Sequence, residues 1–358
     1  MRILFYQLDS KMAGYMGWKN GKYFGHTLFG ATHFHKYGIE AQIFDDKKGG
    51  SWKKIRKIFK FDARIITHTV RLWVTRDKYD LIYAPYPRGL ELLIFLRSIG
   101  LFKKPIVIFV GYKMISNRKN KIKMFLLKQY CAGIDKILFF TNTDYEDVKM
   151  LDVCTPEKLC KVTWGTDLEF YDRVKALNGE GTLEYFISVG KASRDYSTLV
   201  DAFNGISAKL KLYVAQKQLE KKYSRVSNNI EIFFLPVTDI SPYILVEKLS
   251  KAIAVTICLK KTEGQQGISN LYEAMAMGKA VIVTRNRFMD IDVEKEQIGL
   301  LVDVGDVEGW KKAINFLQAN PEKAAEFGRR GRLLAEKYYN LEMFTEEVSK
   351  ILKTLNTV

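Results

Sequence analysis

Residues 263–284 read EGQQGISNLYEAMAMGKAVIVT: a glycine-containing loop, a short helix and a buried strand. Gly264 and Gly267 let the backbone approach a ligand closely. Asn270 is placed to cap a helix running to about Met277, with Glu273 three residues later as its capping-box partner. Gly278 stops that helix, and Ala280 to Val283 forms an apolar strand. A helix N-terminus fed by a glycine loop binds anions, because its free N–H groups and its dipole both favour phosphate. The local pattern gives Glu273 a structural role as capping partner and leaves a functional one at the anion site open.

The same strand–loop–helix rhythm extends in both directions. Upstream, strands are expected at Tyr185–Val189, Leu210–Val214, Ile230–Phe234 and Ala254–Cys258, and downstream at Gly299–Val302. Helices are expected at Ser197–Ile206, Val246–Lys251 and Val307–Leu317. From Leu168 to Gly181 the chain turns polar without sustained periodicity and reads as an interdomain linker. Before it, strands are expected at Arg2–Gln7, Ala41–Phe44, Leu81–Ala84, Pro105–Val110, Lys136–Phe140 and Leu159–Thr163. The intervening helices are placed at Phe29–Tyr37, Leu90–Ser98, Lys119–Cys131 and Asp144–Asp152, after a permissive loop carrying Gly14, Gly17, Gly21 and Gly25. Two halves of this rhythm predict an α/β protein of two doubly wound, Rossmann-like domains facing across a cleft, with the ligand where strand C-termini meet. The expected division is 1–168 and 169–339, with a helix over 340–358 joining the first domain.

The 358 residues suffice for two such domains, each with its own core. Hydrophobic content of 47% and charged content of 27% are those of a globular protein. Apolar runs are too short to span a bilayer, and the N-terminus does not resemble a signal peptide. Cys131, Cys154, Cys160 and Cys258 show no metal-ligand spacing, so a reduced, cytoplasmic protein is expected. The net charge of +17 is uneven: residues 1–165 hold about 30 Lys/Arg against about 14 Asp/Glu, the remainder about 27 against about 26. The excess is densest over Lys47–Arg76, where Trp52, Ile55, Ile58, Phe59, Ile65, Ile66, Val70 and Trp73 can share one helical side. That segment fits either an element lying on anionic lipid at the inner membrane face or a core-facing helix with solvated cations. No nucleic-acid-binding motif accompanies the charge.

The 263–284 stretch resembles the donor-sugar signature of GT-B glycosyltransferases, particularly family 4 (group 1), in which E-G-x-G precedes L-x-E-A-M-A-x-G-x-P-V. The resemblance implies that Glu273, the second glutamate of a Glu-x7-Glu motif, holds the nucleotide ribose. It also implies that the loop and helix start, Gln265, Gly267, Ile268, Ser269 and Asn270, hold the donor diphosphate and sugar. Counting back eight places from Glu273 reaches Gln265, while Glu263 lies two residues further upstream. Tyr185–Phe203, YFISVGKASRDYSTLVDAF, resembles the V-G-R…K-G-x-x-x-L element, with Lys191 and Arg194 as the cations on the diphosphate. WGTDLEFY at Trp164–Tyr171 resembles the segment closing the first domain, KYFGHTLFGATHFHKYGIEAQIF its opening loop and helix, and DVGDVEGWKKAINFL its tail. Relatives place a histidine after the strand at Pro105–Val110; this chain has Gly111-Tyr112 there. His26, in the glycine-rich first loop, is the remaining candidate near the transferred sugar, with His33 and His35 read as structural.

The resemblance implies a retaining transferase that moves a sugar from a UDP- or GDP-linked donor to a hydroxyl of a glycan or lipid-linked acceptor. It implies no cofactor and no metal, since fixed cations stabilise the leaving diphosphate. Asp290-Ile291-Asp292 spells a metal pair but falls in a variable loop and is set aside. Two other readings stand beside it: a non-catalytic subunit that binds nucleotide sugar, and a sugar-nucleotide epimerase or hydrolase on the same scaffold. A dehydrogenase is disfavoured because no GxGxxG follows the first strand.

Overall fold

The structure, a computed structural model, describes residues 1–45, 62, 64–109, 121–178, 183–190, 193–214, 226–234, 241–261 and 264–355. The chain divides into two units. Met1–Asn20, Gly25–Trp164 and Glu342–Val358 form the first; Gly21–Phe24 and Gly165–Leu341 form the second.

Unit 1 runs β1 (Arg2–Phe5), α1 (Met12–Lys19), β2 (Glu40–Ile43), α2 (Arg64–Val74), β3 (Leu81–Ala84), α3 (Glu91–Ser98), β4 (Ile106–Phe109), α4 (Lys121–Ala132), β5 (Lys136–Phe139), α5 (Asn142–Lys149) and β6 (Leu159–Lys161). Its sheet is parallel throughout, in the order β2-β1-β3-β4-β5-β6. β3 and β4 are buried at every residue, which is why they read as unbroken apolar runs rather than alternating ones. Leu93, Ile94, Phe102, Cys131 and Ile134 pack against them.

Unit 2 runs α6 (Leu168–Asn178), β7 (Tyr185–Gly190), α7 (Tyr196–Phe203), β8 (Leu210–Val214), β9 (Ile230–Phe234), α8 (Pro242–Ser250), β10 (Ala252–Ile257), α9 (Ile268–Ala276), β11 (Ala280–Thr284), β12 (Gly299–Val302), α10 (Val307–Ala319) and α11 (Pro321–Tyr338). The parallel order β12-β11-β10-β7-β8-β9 puts β7 and β10 side by side at the centre. The chain winds outward from that pair in opposite directions, so the crevice beyond the C-terminal ends of β7 and β10 is the topological switch point where such sheets bind ligands. Trp310, Phe186, Phe203 and Ile314 fill the core against the sheet. The last helix, α12 (Leu341–Lys353), begins at the end of unit 2 and continues into unit 1, where Glu347 accepts a hydrogen bond from the Thr163 amide at 2.8 Å.

Several sequence expectations are corrected. Leu168–Asn178, expected as linker, is helix α6. Asp167 starts it by accepting from the Phe170 amide at 3.1 Å, and Phe170, Tyr171 and Val174 are buried on one side. Its charged outer face hid that narrow apolar stripe. The helix expected at Phe29–Tyr37 is absent. Phe29 adopts φ 49°, which breaks the run and leaves two short 3₁₀ turns, Gly25–Leu28 and Phe34–Tyr37. The permissive first loop instead contains helix α1. Cys131 and Cys154, expected reduced, form a disulfide between Cα atoms 5.6 Å apart, a pairing that a sequence separation of 23 conceals. Cys160 and Cys258 are free.

Of the basic stretch, residues 47–61 and 63 lie outside the described residues, including Trp52, Ile55, Ile58 and Phe59. In α2 the expected single apolar side does not form: Trp73 packs on Phe102, while Ile66 and Val70 face solvent and His68, Thr69 and Leu72 face inward. Among the described residues no helix is long and apolar enough to cross a membrane.

Candidate functional site

The residues named around Glu273 and Arg194 come together in unit 2, at the ends of β7 and β10. Gly190 ends β7, and a Cβ placed there would collide with the Arg194 guanidinium. The absence of a side chain is therefore what lets the Arg194 arm lie back across the strand end. Between them Ser193 takes φ 56°, a left-handed conformation that costs energy for a non-glycine residue. Hydrogen bonds to the end of β10 hold this turn: Asp195 N–H donates to Cys258 O at 3.0 Å, and Lys260 N–H to Ser193 O at 3.0 Å. Asp195 then caps α7, its carboxylate accepting from the Thr198 amide at 3.3 Å and the Thr198 hydroxyl at 2.8 Å. Lys191 and Ala192 lie outside the described residues.

Helix α9 follows β10. Its N-cap is Gly267, not Asn270, and the expected capping box is thereby corrected. Gly267 has φ 80°, and a Cβ there would meet Ile257 at 2.7 Å, so the chain can turn into the helix only at a glycine. The helix accordingly starts at Ile268, three residues before the expected first turn. The amides of Ile268, Ser269 and Asn270 become its first turn, where N–H groups have no acceptor inside the helix. At its other end, the Arg332 guanidinium donates to Ala276 O at 2.7 Å and pairs with Asp172, which suits the negative end of the helix dipole.

Released from capping, Asn270 connects the two charged groups. Its Oδ1 accepts a short hydrogen bond from Arg194 Nη2, and its Nδ2 donates to Glu273 Oε2 at 3.2 Å. The cation on one side and the carboxylate on the other fix which way the amide faces. Arg194 is half-buried; burial lowers its pKa, and the neighbouring Tyr196 and Glu273 oppose that shift. A guanidinium stays charged under such a shift. The chain Arg194–Asn270–Glu273 thus holds a positive and a negative group on either side of one amide, beside a helix N-terminus. This arrangement can bind a phosphate and a diol together.

Two phenols border Glu273. Burial first, and the Glu273 carboxylate second, raise the pKa of Tyr23 and of Tyr171, so both remain protonated. Tyr23 arrives on Gly21–Phe24, a segment of the first loop that belongs to unit 2. It is secured there by Arg173 and Tyr243, which donate to Gly21 O at 2.8 and 2.7 Å, and by Phe24 stacking on Tyr171. Sequence reasoning missed both tyrosines and the bridging role of Asn270. Nothing local marks tyrosines that lie far from the motif in the sequence, at positions 23 and 171.

Gln265 lies in the loop before Gly267 and is partly exposed, whereas Glu263 lies outside the described residues, as do Gly111 and Tyr112. Asp290 and Asp292 are exposed; the Asp292 carboxylate caps its own turn by accepting from the amides of Glu294 and Lys295, both at 3.1 Å. Among the described residues no group of three or more His, Cys, Asp or Glu is placed to hold a metal ion.

His26 is in unit 1, buried at 3% exposure with its ring edge against Trp164. Burial pushes its pKa down from 6.5 to about 3, so the imidazole is neutral. The unfolded chain therefore takes up this proton first as pH falls. The contribution to stability is complete above pH 6.5 and is lost progressively towards pH 3, at up to about 1.4 kcal/mol per pH unit. His26→Gln is expected to flatten the dependence of unfolding free energy on pH between 6 and 4, followed by circular dichroism in urea. An unchanged slope would rule out a buried neutral His26.

Residues 172–334 match the family described as glycosyl transferases group 1. Sucrose-phosphate synthase from Thermosynechococcus elongatus is similar in structure, with a TM-score of 0.70 at 15% identity over 99% of this chain and 98% of that one. Anabaena HepE, solved with UDP and glucose, has a TM-score of 0.67 at 13% identity over 99% and 100%. WaaG, a glycosyltransferase involved in lipopolysaccharide biosynthesis, has a TM-score of 0.58 at 12% identity over 98% and 99%. No curated protein sequence matches the chain. The protein has the GT-B fold, built on two Rossmann-like parallel sheets. The stretch that matches the group 1 family lies within its second unit.

Proposed function

We propose that the protein transfers a sugar, with retention, from a nucleotide-sugar donor to a hydroxyl of a glycan or lipid-linked acceptor. The observation that carries this reading is the Arg194–Asn270–Glu273 chain at the N-terminus of α9. Glu273 accepts from the ribose hydroxyls; Arg194 and the amides of Gly267, Ile268 and Ser269 hold the diphosphate, with Gln265 towards the sugar. Lys191, one residue beyond β7, adds a second cation on sequence grounds. As the glycosidic bond breaks, negative charge grows on the leaving diphosphate, and a guanidinium already in place stabilises it without reorganisation. The protruding phosphate oxygen then takes the acceptor's proton. His26, neutral in unit 1, would serve by hydrogen bonding rather than by charge. HepE has been solved with UDP and with UDP-glucose, which supports a uridine donor over a guanosine one.

A panel of UDP- and GDP-sugars tested by thermal shift identifies the donor. That donor is then supplied with hydroxyl acceptors, with and without EDTA. Stabilisation by one donor and EDTA-insensitive transfer are expected. Stabilisation without transfer to any acceptor would favour a binding subunit. Strict dependence on Mg²⁺ or Mn²⁺ would overturn the metal-free mechanism and return Asp290 and Asp292 to consideration.

A further inference from the structure

We infer that the outer face of α4 in unit 1 docks on an anionic lipid bilayer. The helix, KIKMFLLKQYCA over Lys121–Ala132, is apolar on two sides. Met124, Leu127, Tyr130 and Cys131 face the core and pack against it. Ile122, Phe125 and Leu126, at i, i+3 and i+4, form a second stripe exposed to 72%, 66% and 59%. Surface helices bury one stripe and leave the other face polar. This one presents three large hydrocarbon side chains to water.

The flanks of that stripe argue for its occupant. At 100° per residue Lys121 and Lys128 fall on one side of it and Lys123 on the other; all three are exposed, and the helix holds no acidic residue. Lysines along both edges of an apolar stripe are what a helix needs to lie in an interface: the hydrocarbon enters the acyl boundary while the ammonium groups reach anionic headgroups. The face does not stop at α4. Gln129 donates to Ser98 Oγ at 2.8 Å, tying α4 to α3, and the α3 region exposes Phe95 and, just beyond the helix, Leu101 to 48% and 58%. The first 165 residues also carry nearly all of the net positive charge, so the wider field attracts the same surface.

The test is sedimentation of the full chain with vesicles of phosphatidylcholine alone or mixed with phosphatidylglycerol. The parent protein is expected to bind the mixed vesicles at low salt, to bind the neutral ones weakly, and to be released by salt. The triple variant Ile122→Ser, Phe125→Ser, Leu126→Ser is expected to lose at least about tenfold in partitioning, since each side chain removed from the acyl boundary forfeits its transfer energy. Lys121→Gln, Lys123→Gln, Lys128→Gln is expected to lose the preference for phosphatidylglycerol. UDP binding by calorimetry stays at the parent level in both variants, which shows that they are folded; absence of UDP binding in every form counts against the donor reading alone. The inference is overturned if the parent ignores mixed vesicles, or if the serine variant sediments as the parent does. It is equally overturned if the parent is a dimer that the serine variant dissolves without change in vesicle binding.

Discussion

Replacing Glu273 with Ala is expected to weaken nucleoside diphosphate binding by about 10- to 150-fold while leaving the fold intact. A carboxylate accepting from a diol makes charge-assisted hydrogen bonds worth about 1.5–3 kcal/mol in total loss when truncated, and each 1.4 kcal/mol is about tenfold. The structure removes the competing account of this residue. Gly267, not Asn270, caps α9, so Glu273 has no capping box to complete. Asn270, which donates to it, is held by Arg194 from the other side, so the carboxylate is oriented rather than merely solvated. Glu273→Gln should retain part of the affinity, since it keeps one acceptor without the charge. Calorimetry with UDP measures both, and circular dichroism checks the fold. An affinity for Glu273→Ala within about twofold of the parent's would mean that the ribose assignment is wrong.

Arg194→Ala is expected to act on turnover instead, lowering kcat by about 100- to 1,000-fold, the range seen when a preorganised donor to developing charge is removed. Affinity for the bare nucleoside should change little, because the proposed role puts the guanidinium on the diphosphate and not on the base. The turn that carries Arg194 is held by backbone bonds to β10 and by the Asp195 cap, so truncating the side chain leaves its frame in place. Arg194→Lys restores charge but not a planar, multiply donating head, and is expected to recover only part of the loss. Equal losses in kcat and in nucleoside affinity would show a structural role rather than charge stabilisation at the leaving group.

The sheet was the most legible part of the chain. The expected strands of both halves appear with ends shifted by only a few residues, since buried parallel strands must be short apolar runs whatever surrounds them. Helices were read less well where the apolar stripe is narrow or where the start is irregular. α6 was hidden by its charged face, and α1 by the glycines around it. The segment at Phe29–Tyr37 had helical periodicity, but the backbone turns at Phe29, where ring contacts with Trp164, Phe109 and Tyr86 outweigh local preference.

At the site, sequence alone determined which residue types stand near a glycine-fed helix start: Glu273, Asn270 and Gln265 in one motif, Lys191 and Arg194 in another. It determined that the two motifs follow strands, because hydrophobic runs and turn residues are local signals. The tertiary structure decided that those strands are β7 and β10, adjacent at the switch point, which is what brings Arg194 within hydrogen-bonding reach of Asn270. It moved the helix start to Gly267 and so turned Asn270 from a cap into a bridge. It also placed Tyr23 and Tyr171 beside Glu273, and Cys131 against Cys154. The physical reason is common to all of these. Local pattern fixes the conformation a segment prefers, whereas strand order, and the close approach that a missing side chain permits, fix which distant groups meet.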